Sequence, residues 1–130
     1  MSEHDEQSIF FEWLAWQSKF YPELEMFHAI PNGAKLPYGK TRSGKRYSKE
    51  ANWLIKEGLK AGVPDTCLPV PKRGYHGMYI EFKYGSNKPT KNQLKWLKLL
   101  TDQNYYVVIC YGFEEAKKHT LWYMEMEERF

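Results

Sequence analysis

Cysteine, histidine and long apolar runs are all scarce in this 130-residue chain. Cys67 and Cys110 lie in apolar, strand-like segments without a nearby histidine cluster, which argues against a zinc site and predicts buried thiols in a reducing compartment. No apolar stretch approaches the roughly 20 residues that a membrane helix needs. The acidic start, MSEHDEQSIF, is unlike a signal peptide. We therefore expect an intracellular protein with no membrane partner, folded as one domain over residues 1–130.

Acidic residues are scarce in the middle of the chain. Residues 26–101 contain 15 Lys/Arg and 4 Asp/Glu. The two ends together contain 4 Lys/Arg and 12 Asp/Glu. Such a basic middle predicts a polyanionic partner, although an ordinary solvated surface explains the same counts. Hydrophobic residues (42%) and aromatic residues (17%) are abundant, so the chain is not a disordered tail.

Apolar spacing and turn residues predict eight elements in the order α-β-α-β-β-α-β-α. This order favours an α/β fold, with a mixed β-sheet flanked by helices. The predicted helices cover residues 5–20, 48–60 and 113–127, with a third helix that begins at the Thr90 capping box and includes Leu100. The predicted strands lie within 24–33, 65–70, 77–84 and 105–111. Residues 33–49 are predicted to form a long basic loop, a type of segment that is often functional.

Two of the predicted helices carry clear sequence signals. Helical spacing on the first predicts that one apolar stripe faces the core, formed by Ile9, Trp13, Trp16 and Phe20. Thr90 and Gln93 form a capping box at the start of the third, whose apolar face is predicted to contain Leu94, Leu97 and Leu100.

Two carboxylates and a lysine are predicted to meet at one end of the hairpin formed by strands 65–70 and 77–84. In MYIEFK, residues 78–83, alternation places Glu81 and Lys83 together on the face opposite the apolar one. Pro64 favours an extended entry of Asp65 into the preceding strand, and pairing of the two strands puts Asp65 opposite the end that carries Glu81 and Lys83. A solvent-facing ion pair explains Glu81 and Lys83 taken alone.

Neighbouring carboxylates repel each other, and a divalent cation removes that repulsion. Hard oxygen ligands with room for water suit Mg²⁺ or Mn²⁺, which can polarise a phosphoryl oxygen and activate water. Lys83 either acts as a base or stays charged and stabilises the transition state. The neighbouring carboxylates favour the charged form.

The Pro-Asp pair followed by Glu-x-Lys resembles the signature of the PD-(D/E)XK nucleases. A longer set of motifs resembles the VRR-NUC (virus-type replication-repair nuclease) family, particularly its stand-alone phage members. The motifs are Glu6-Gln7, AIPNG at 29–33, LKAGVPD at 59–65, Leu68-Pro69, GMYIEFK at 77–83, Gln93 and NYYVVICYG at 104–112. The resemblance runs over about residues 5–118. Phe82 and Tyr84 depart from it, standing where the family often has Leu and Arg, and the loop at 35–47 is longer and more basic than usual.

This resemblance implies a restriction-endonuclease-like core and Mg²⁺- or Mn²⁺-dependent hydrolysis of phosphodiester bonds. It also implies a homodimer acting on branched DNA such as four-way junctions, in the host cytoplasm if the protein is phage-encoded. Asp65 and Glu81 are then the expected metal ligands, and the backbone carbonyl of Phe82 is a further one.

Glu6 and Gln93 are expected to support this site. On a helical wheel Glu6 lies near the apolar stripe and Glu12 lies at its margin, so the family's water-mediated metal contact falls on Glu6. An acid that only complements the helix dipole is the alternative. Gln93 shares a wheel face with Leu97 and Leu100 and is expected to point at the site. A role in capping alone is its alternative.

DNA is expected to contact basic residues along the middle of the chain. The candidates are Lys35, Lys40, Arg42, Lys45, Arg46, Lys56, Lys60 and Lys88. Exposed aromatic anchors for the homodimer are predicted at Phe11 and at Trp122-Tyr123-Met124, although a core position explains Trp122 equally well. Two other functions compete with nuclease activity: a non-catalytic nucleic-acid-binding module of the same fold, and a phage structural protein that binds neither metal nor DNA.

Overall fold

A computed structural model describes residues 1–31, 39–40, 46–47 and 49–130, with side chains for residues 1–31 and 52–130. Its helices are α1 (Glu3–Gln17), α2 (Lys49–Lys56), α3 (Lys91–Asp102) and α4 (Phe113–Met124), with a 3-10 helix at Pro22–Met26. Its strands are β1 (His28–Ala29), β2 (Gly39–Lys40), β3 (Arg46–Tyr47), β4 (Thr66–Leu68), β5 (Met78–Lys83) and β6 (Tyr106–Tyr111). None of the helices in these ranges is long and apolar enough to cross a bilayer.

Four strands form a mixed sheet in the order β1-β4-β5-β6. β4 pairs antiparallel with both β1 and β5, which confirms the predicted hairpin. β6 runs parallel to β5, and α3 supplies the crossover that a parallel pair requires. The predicted α/β class with helices flanking a mixed sheet is therefore confirmed.

Helices cover both faces of this sheet. On the core face Met78, Ile80 and Phe82 are fully buried, as strand alternation predicted. α1 packs here, with the ring of Phe10 centred 5.6 Å from that of Phe82, and α4 adds the buried ring of Tyr123. α3 lies on the opposite face, the one that carries Glu81.

The predicted apolar stripe of α1 is wrong for Trp16 and Phe20, whereas Trp13 packs against the core. Phe10, Leu14 and Gln17 are the buried residues of this helix, whereas Trp16 and Phe20 are 43% and 47% exposed. Apolar side chains surround α1 almost completely, so spacing alone does not select a face. The indole of Trp16 instead donates a hydrogen bond to the carbonyl of Arg129 (3.2 Å), on a C-terminal segment that crosses α1.

Other predicted elements differ mainly in their bounds. The 3-10 helix and the two-residue β1 replace the strand expected within 24–33, and β2 and β3 pair with each other inside the expected loop. α2 ends at Lys56 rather than near Lys60, and its predicted cap, Ser48, lies outside the described residues. The capping box of α3 is confirmed, but Leu94 is 53% exposed and so is not part of the buried face.

Two of the predicted interface anchors lie in the core. Tyr123 is fully buried and its hydroxyl donates to the carbonyl of Val70 (2.6 Å), while Met124 is also buried. Phe11 is half-buried against the core. Trp122 keeps an exposed ring, over which the guanidinium of Arg73 lies at 4.1 Å.

Candidate active site

Asp65 and Glu81 meet where β4 begins and β5 approaches its end. Thr66 pairs with Ile80, and one further residue in that register places Asp65 across from Glu81. Both side chains are buried, at 1% and 2% exposed. Asp65 Oδ2 accepts a hydrogen bond from the backbone N–H of Phe82 (2.8 Å), which fixes the carboxylate against β5.

Lys83 lies on the same face of β5 as Glu81. Its Nζ is 3.8 Å from Glu81 Oε2, and the residue is only 7% exposed. This burial excludes a solvent-facing ion pair. Burying two charges costs more desolvation energy than an exposed pair does, so the arrangement is poorly explained by stability alone.

Gln93 contacts both its own helix and Glu81. Its Oε1 accepts from the backbone N–H of Thr90 (2.9 Å), which closes the capping box. Its Nε2 donates to Glu81 Oε2 (3.2 Å), so one amide group caps α3 and orients the carboxylate. The expected orientation toward Glu81 is observed, and a part for Gln93 in catalysis stays a prediction.

Gly62 sets how closely the loop before Asp65 approaches α3. A Cβ at this position would lie 2.5 Å from the backbone carbon of Asn92, and the φ of Gly62 is +93°. Only glycine fits there without moving α3. The LKAGVPD segment therefore positions Asp65 and, through Asn92, the first turn of α3 that carries Gln93.

A third carboxylate, that of Glu3, joins the two that the sequence predicted. Among the described residues, carboxylate oxygens of Glu3, Asp65 and Glu81 lie within 4.8 Å of one another. Asn87 Nδ2 donates to Glu3 Oε2 at 3.3 Å. Glu3 was not predicted, because the spacing of apolar residues indicated a different face of α1 as the buried one. Glu3 precedes Phe10 and Leu14 by 7 and 11 residues, so it lies on their face.

Glu6 is not one of the three acids of this cluster. It is half-buried, and its Oε1 would be 3.0 Å from a Cβ placed on Gly112, at the start of α4. Its supporting role stays a prediction. The same holds for the carbonyl of Phe82, whose N–H is bound to Asp65.

The basic candidates divide by position. Lys56, Lys60 and Lys88 are exposed on the described part of the chain. The side chains of Lys35, Lys40, Arg42, Lys45 and Arg46 lie outside the described residues. The structure therefore describes the side chains of only the first three, which are open to solvent.

The thiols take no part in this site. Both cysteines are buried and free, as predicted. Burial raises the pKa of Cys110 to about 12, with the charge of Glu115 adding to the shift, and burial also raises the pKa of Cys67. Both therefore stay protonated at neutral pH and are poor nucleophiles.

A divalent cation fits this donor set. Three ionised carboxylates and one ammonium leave two negative charges in a mostly buried space, and a divalent ion balances them. All of the side-chain donors are carboxylate oxygens, which suit hard cations. The site can therefore hold a divalent cation with the ammonium of Lys83 beside the carboxylates.

Carboxylates and a lysine on two adjacent strands of a mixed sheet flanked by helices define the PD-(D/E)XK class of nuclease folds. The chain belongs to the VRR-NUC domain family, whose model matches residues 2–114. A solved structure described as a VRR_NUC domain protein is similar to it in fold, with a TM-score of 0.73 and 22% sequence identity. That similarity covers 98% of this chain and 92% of the other. No curated protein matches the chain in sequence.

Proposed function

We propose that the protein is a Mg²⁺- or Mn²⁺-dependent endodeoxyribonuclease that hydrolyses phosphodiester bonds. The observation that carries the proposal is the cluster of Glu3, Asp65 and Glu81 with Lys83 buried beside it. Asp65, Glu81 and the carbonyl of Phe82 would hold the ion, with Glu3 as a further carboxylate. When bound, the ion supplies Lewis-acid polarisation of the phosphate and lowers the pKa of a bound water.

Lys83 supplies positive charge at the reacting phosphate. Its Nζ lies 3.8 Å from Glu81 Oε2. An ammonium cannot accept a proton, so Lys83 stabilises the negative charge that develops on the phosphate and orients the attacking water. Gln93 holds Glu81 in place, which limits the movement of one ligand.

DNA is the proposed substrate, and branched DNA such as a four-way junction is the proposed preference. The basic middle of the chain supports a polyanionic ligand, and Lys56, Lys60 and Lys88 are exposed for phosphate contacts. A homodimer would bring two such sites to two strands with twofold symmetry. A nuclease of this kind acts on DNA inside the cell, which is where we place the protein.

One screen tests the function. Purified protein is incubated with linear, flapped and four-way DNA of matched length, with Mg²⁺, Mn²⁺ or EDTA, and Asp65→Asn serves as the inactive control. We expect metal-dependent cleavage, fastest on the junction. DNA binding without cleavage in either metal would instead support a non-catalytic binding module, and the absence of both metal and DNA binding would favour a structural protein.

A further inference from the structure

The turn that follows β5 lies between the strand that carries Glu81 and the helix that carries Gln93. Asn87 N–H donates to the carbonyl of Tyr84 (3.2 Å), which closes the turn. Gly85 has a φ of +61°, a left-handed conformation that glycine adopts without strain. This backbone brings the side chain of Asn87 to the first turn of α1.

Asn87 links this turn to two other elements. Its Nδ2 donates to Glu3 Oε2 (3.3 Å), and its carbonyl accepts from the hydroxyl of Tyr111 (2.8 Å). Tyr111 is itself held at the end of β6, where it pairs with Lys83 and its N–H donates to Glu115 Oε1 (2.8 Å). A chain of hydrogen bonds therefore runs from the end of β6 through Asn87 to Glu3.

We infer that Asn87 and Tyr111 are positioning residues that hold the carboxylate of Glu3 at the metal site. Glu3 is the first residue of α1 and is half-buried, and its side chain has three rotatable bonds that a hydrogen-bond donor can restrain. A neutral amide donor orients the carboxylate without cancelling its charge, which a lysine or arginine would do. The inference rests on the proposed function, because it gives Glu3 a metal to bind.

The simpler explanation is that Asn87 only closes its turn. The two explanations differ in how Asn87 depends on Glu3. A residue that acts through Glu3 has no effect on metal binding once Glu3 can no longer bind, whereas a residue that only shapes the turn keeps its effect. A double-mutant cycle separates the two.

The experiment is a Mn²⁺ titration of the full chain by calorimetry, with unfolding midpoints measured in EDTA. Loss of a partner that orients a metal ligand typically weakens binding by about 10- to 100-fold, so we expect Asn87→Ala to raise the Kd for Mn²⁺ by about tenfold. Tyr111→Phe removes only a hydroxyl and should give a smaller rise. Tyr84→Phe, at the start of the same turn, is the matched control and should bind as wild type does.

The decisive comparison is made in a Glu3→Gln background. There, Asn87→Ala and Tyr111→Phe should cause no further loss of Mn²⁺ affinity. Further loss of the same size as in the wild-type background would overturn the inference, as would unchanged affinity in both single variants. Tyr111→Phe is nearly isosteric, so it gives an answer even if Asn87→Ala lowers the unfolding midpoint.

These outcomes are distinct from failure of the function. If the wild-type protein binds no Mn²⁺, both the proposed nuclease function and this inference are refuted. If Mn²⁺ binding requires Asp65 but is unchanged in Asn87→Ala and Tyr111→Phe, the function stands and only the positioning role is lost.

Discussion

Burial separates the roles of the polar side chains at the site. Asp65 and Glu81 are almost inaccessible to solvent, so removing one formal charge there changes the balance of a buried cluster rather than a screened surface. Lys83 lies in the same cluster but carries the opposite charge and cannot bind a cation. Metal binding and chemistry should therefore respond differently to substitution.

The first residue-scale prediction uses that difference. Asp65→Asn and Glu81→Gln should abolish cleavage and weaken Mn²⁺ binding by about tenfold or more, because each removes a ligand charge. Lys83→Ala should abolish cleavage while Mn²⁺ affinity stays the same or rises, since a positive charge near the ion is removed. Cleavage assays paired with Mn²⁺ titration check both statements.

Asp102→Asn is the control for these variants, because it removes an acid from an exposed ion pair. Asp102 Oδ2 lies 3.0 Å from Nζ of Lys98, and both side chains are exposed. It should leave cleavage and metal binding unchanged. Full activity in Lys83→Ala, or wild-type Mn²⁺ affinity in Asp65→Asn, would refute the assignment of these residues.

A second prediction decides between two acids in the first turn of α1. The carboxylate of Glu3 lies in the cluster with Asp65 and Glu81, whereas Glu6 is not a member of it. We expect Glu3→Gln to lower Mn²⁺ affinity and cleavage more than Glu6→Gln does, and the exposed Glu12→Gln to behave as wild type. A larger loss in Glu6→Gln would return the supporting role to Glu6, as the sequence predicted.

At the scale of elements, the site depends on how closely α3 approaches the segment before Asp65. The contact between Gly62 and the backbone of Asn92 leaves no space for a side chain. Helix α3 connects the parallel strands β5 and β6, and its capping residue Gln93 also donates a hydrogen bond to Glu81. A small shift of its first turn should therefore move Glu81 at the proposed metal site.

Gly62→Ala tests this coupling. Overpacking typically costs about 1–3 kcal/mol, and the left-handed φ adds further strain, so we expect a lower free energy of unfolding together with weaker Mn²⁺ binding. Denaturant unfolding and Mn²⁺ titration are the measurements. Gly74→Ala is the matched control, because Gly74 also has a positive φ (+84°) but open space around it. Equal effects of the two substitutions on Mn²⁺ binding would show that the contact with α3 is unimportant.

At the scale of the whole molecule, electrostatic attraction to DNA should be strong and sensitive to salt. Binding of a four-way junction by the inactive Asp65→Asn protein should weaken steeply between 50 and 200 mM salt, on the scale expected for several phosphate contacts. Lys56→Ala, Lys60→Ala and Lys88→Ala should each reduce the slope of log K against log salt by about one. Lys98→Ala, which removes a lysine already paired with Asp102, should change the slope least. Unchanged slopes in all three lysine variants would show that these lysines do not contact the DNA.

The assembly prediction also belongs to this scale. One domain with one site cuts one strand at a time, and symmetric cleavage of a junction needs two sites. With Tyr123 and Met124 in the core, Trp122 is the remaining exposed anchor of the predicted set. We expect a dimer by light scattering at micromolar concentration, weakened by Trp122→Ala, with junction cleavage measured in parallel. A monomer that cuts linear duplex as fast as a junction would contradict both parts.

The sequence by itself determined the features that rest on short-range geometry. The strand period of two put Met78, Ile80 and Phe82 in the core and Glu81 with Lys83 on the other face. The Thr90–Gln93 capping box set the start of α3, because it is formed within one turn. Two strand-like segments joined by PKRGYHG, residues 71–77, were enough to predict the hairpin that brings the two carboxylates together, with Pro64 favouring an extended Asp65.

Only the tertiary structure decided which side of α1 faces the core. Apolar residues occupy nearly every side of this helix, so packing between Phe10 and Phe82 and the hydrogen bond from Trp16 to the C-terminal segment selected the face. That choice carried Glu3, rather than Glu6, into the acidic cluster. The contacts responsible join residues more than 70 positions apart, and such contacts have no counterpart in the local spacing of the sequence.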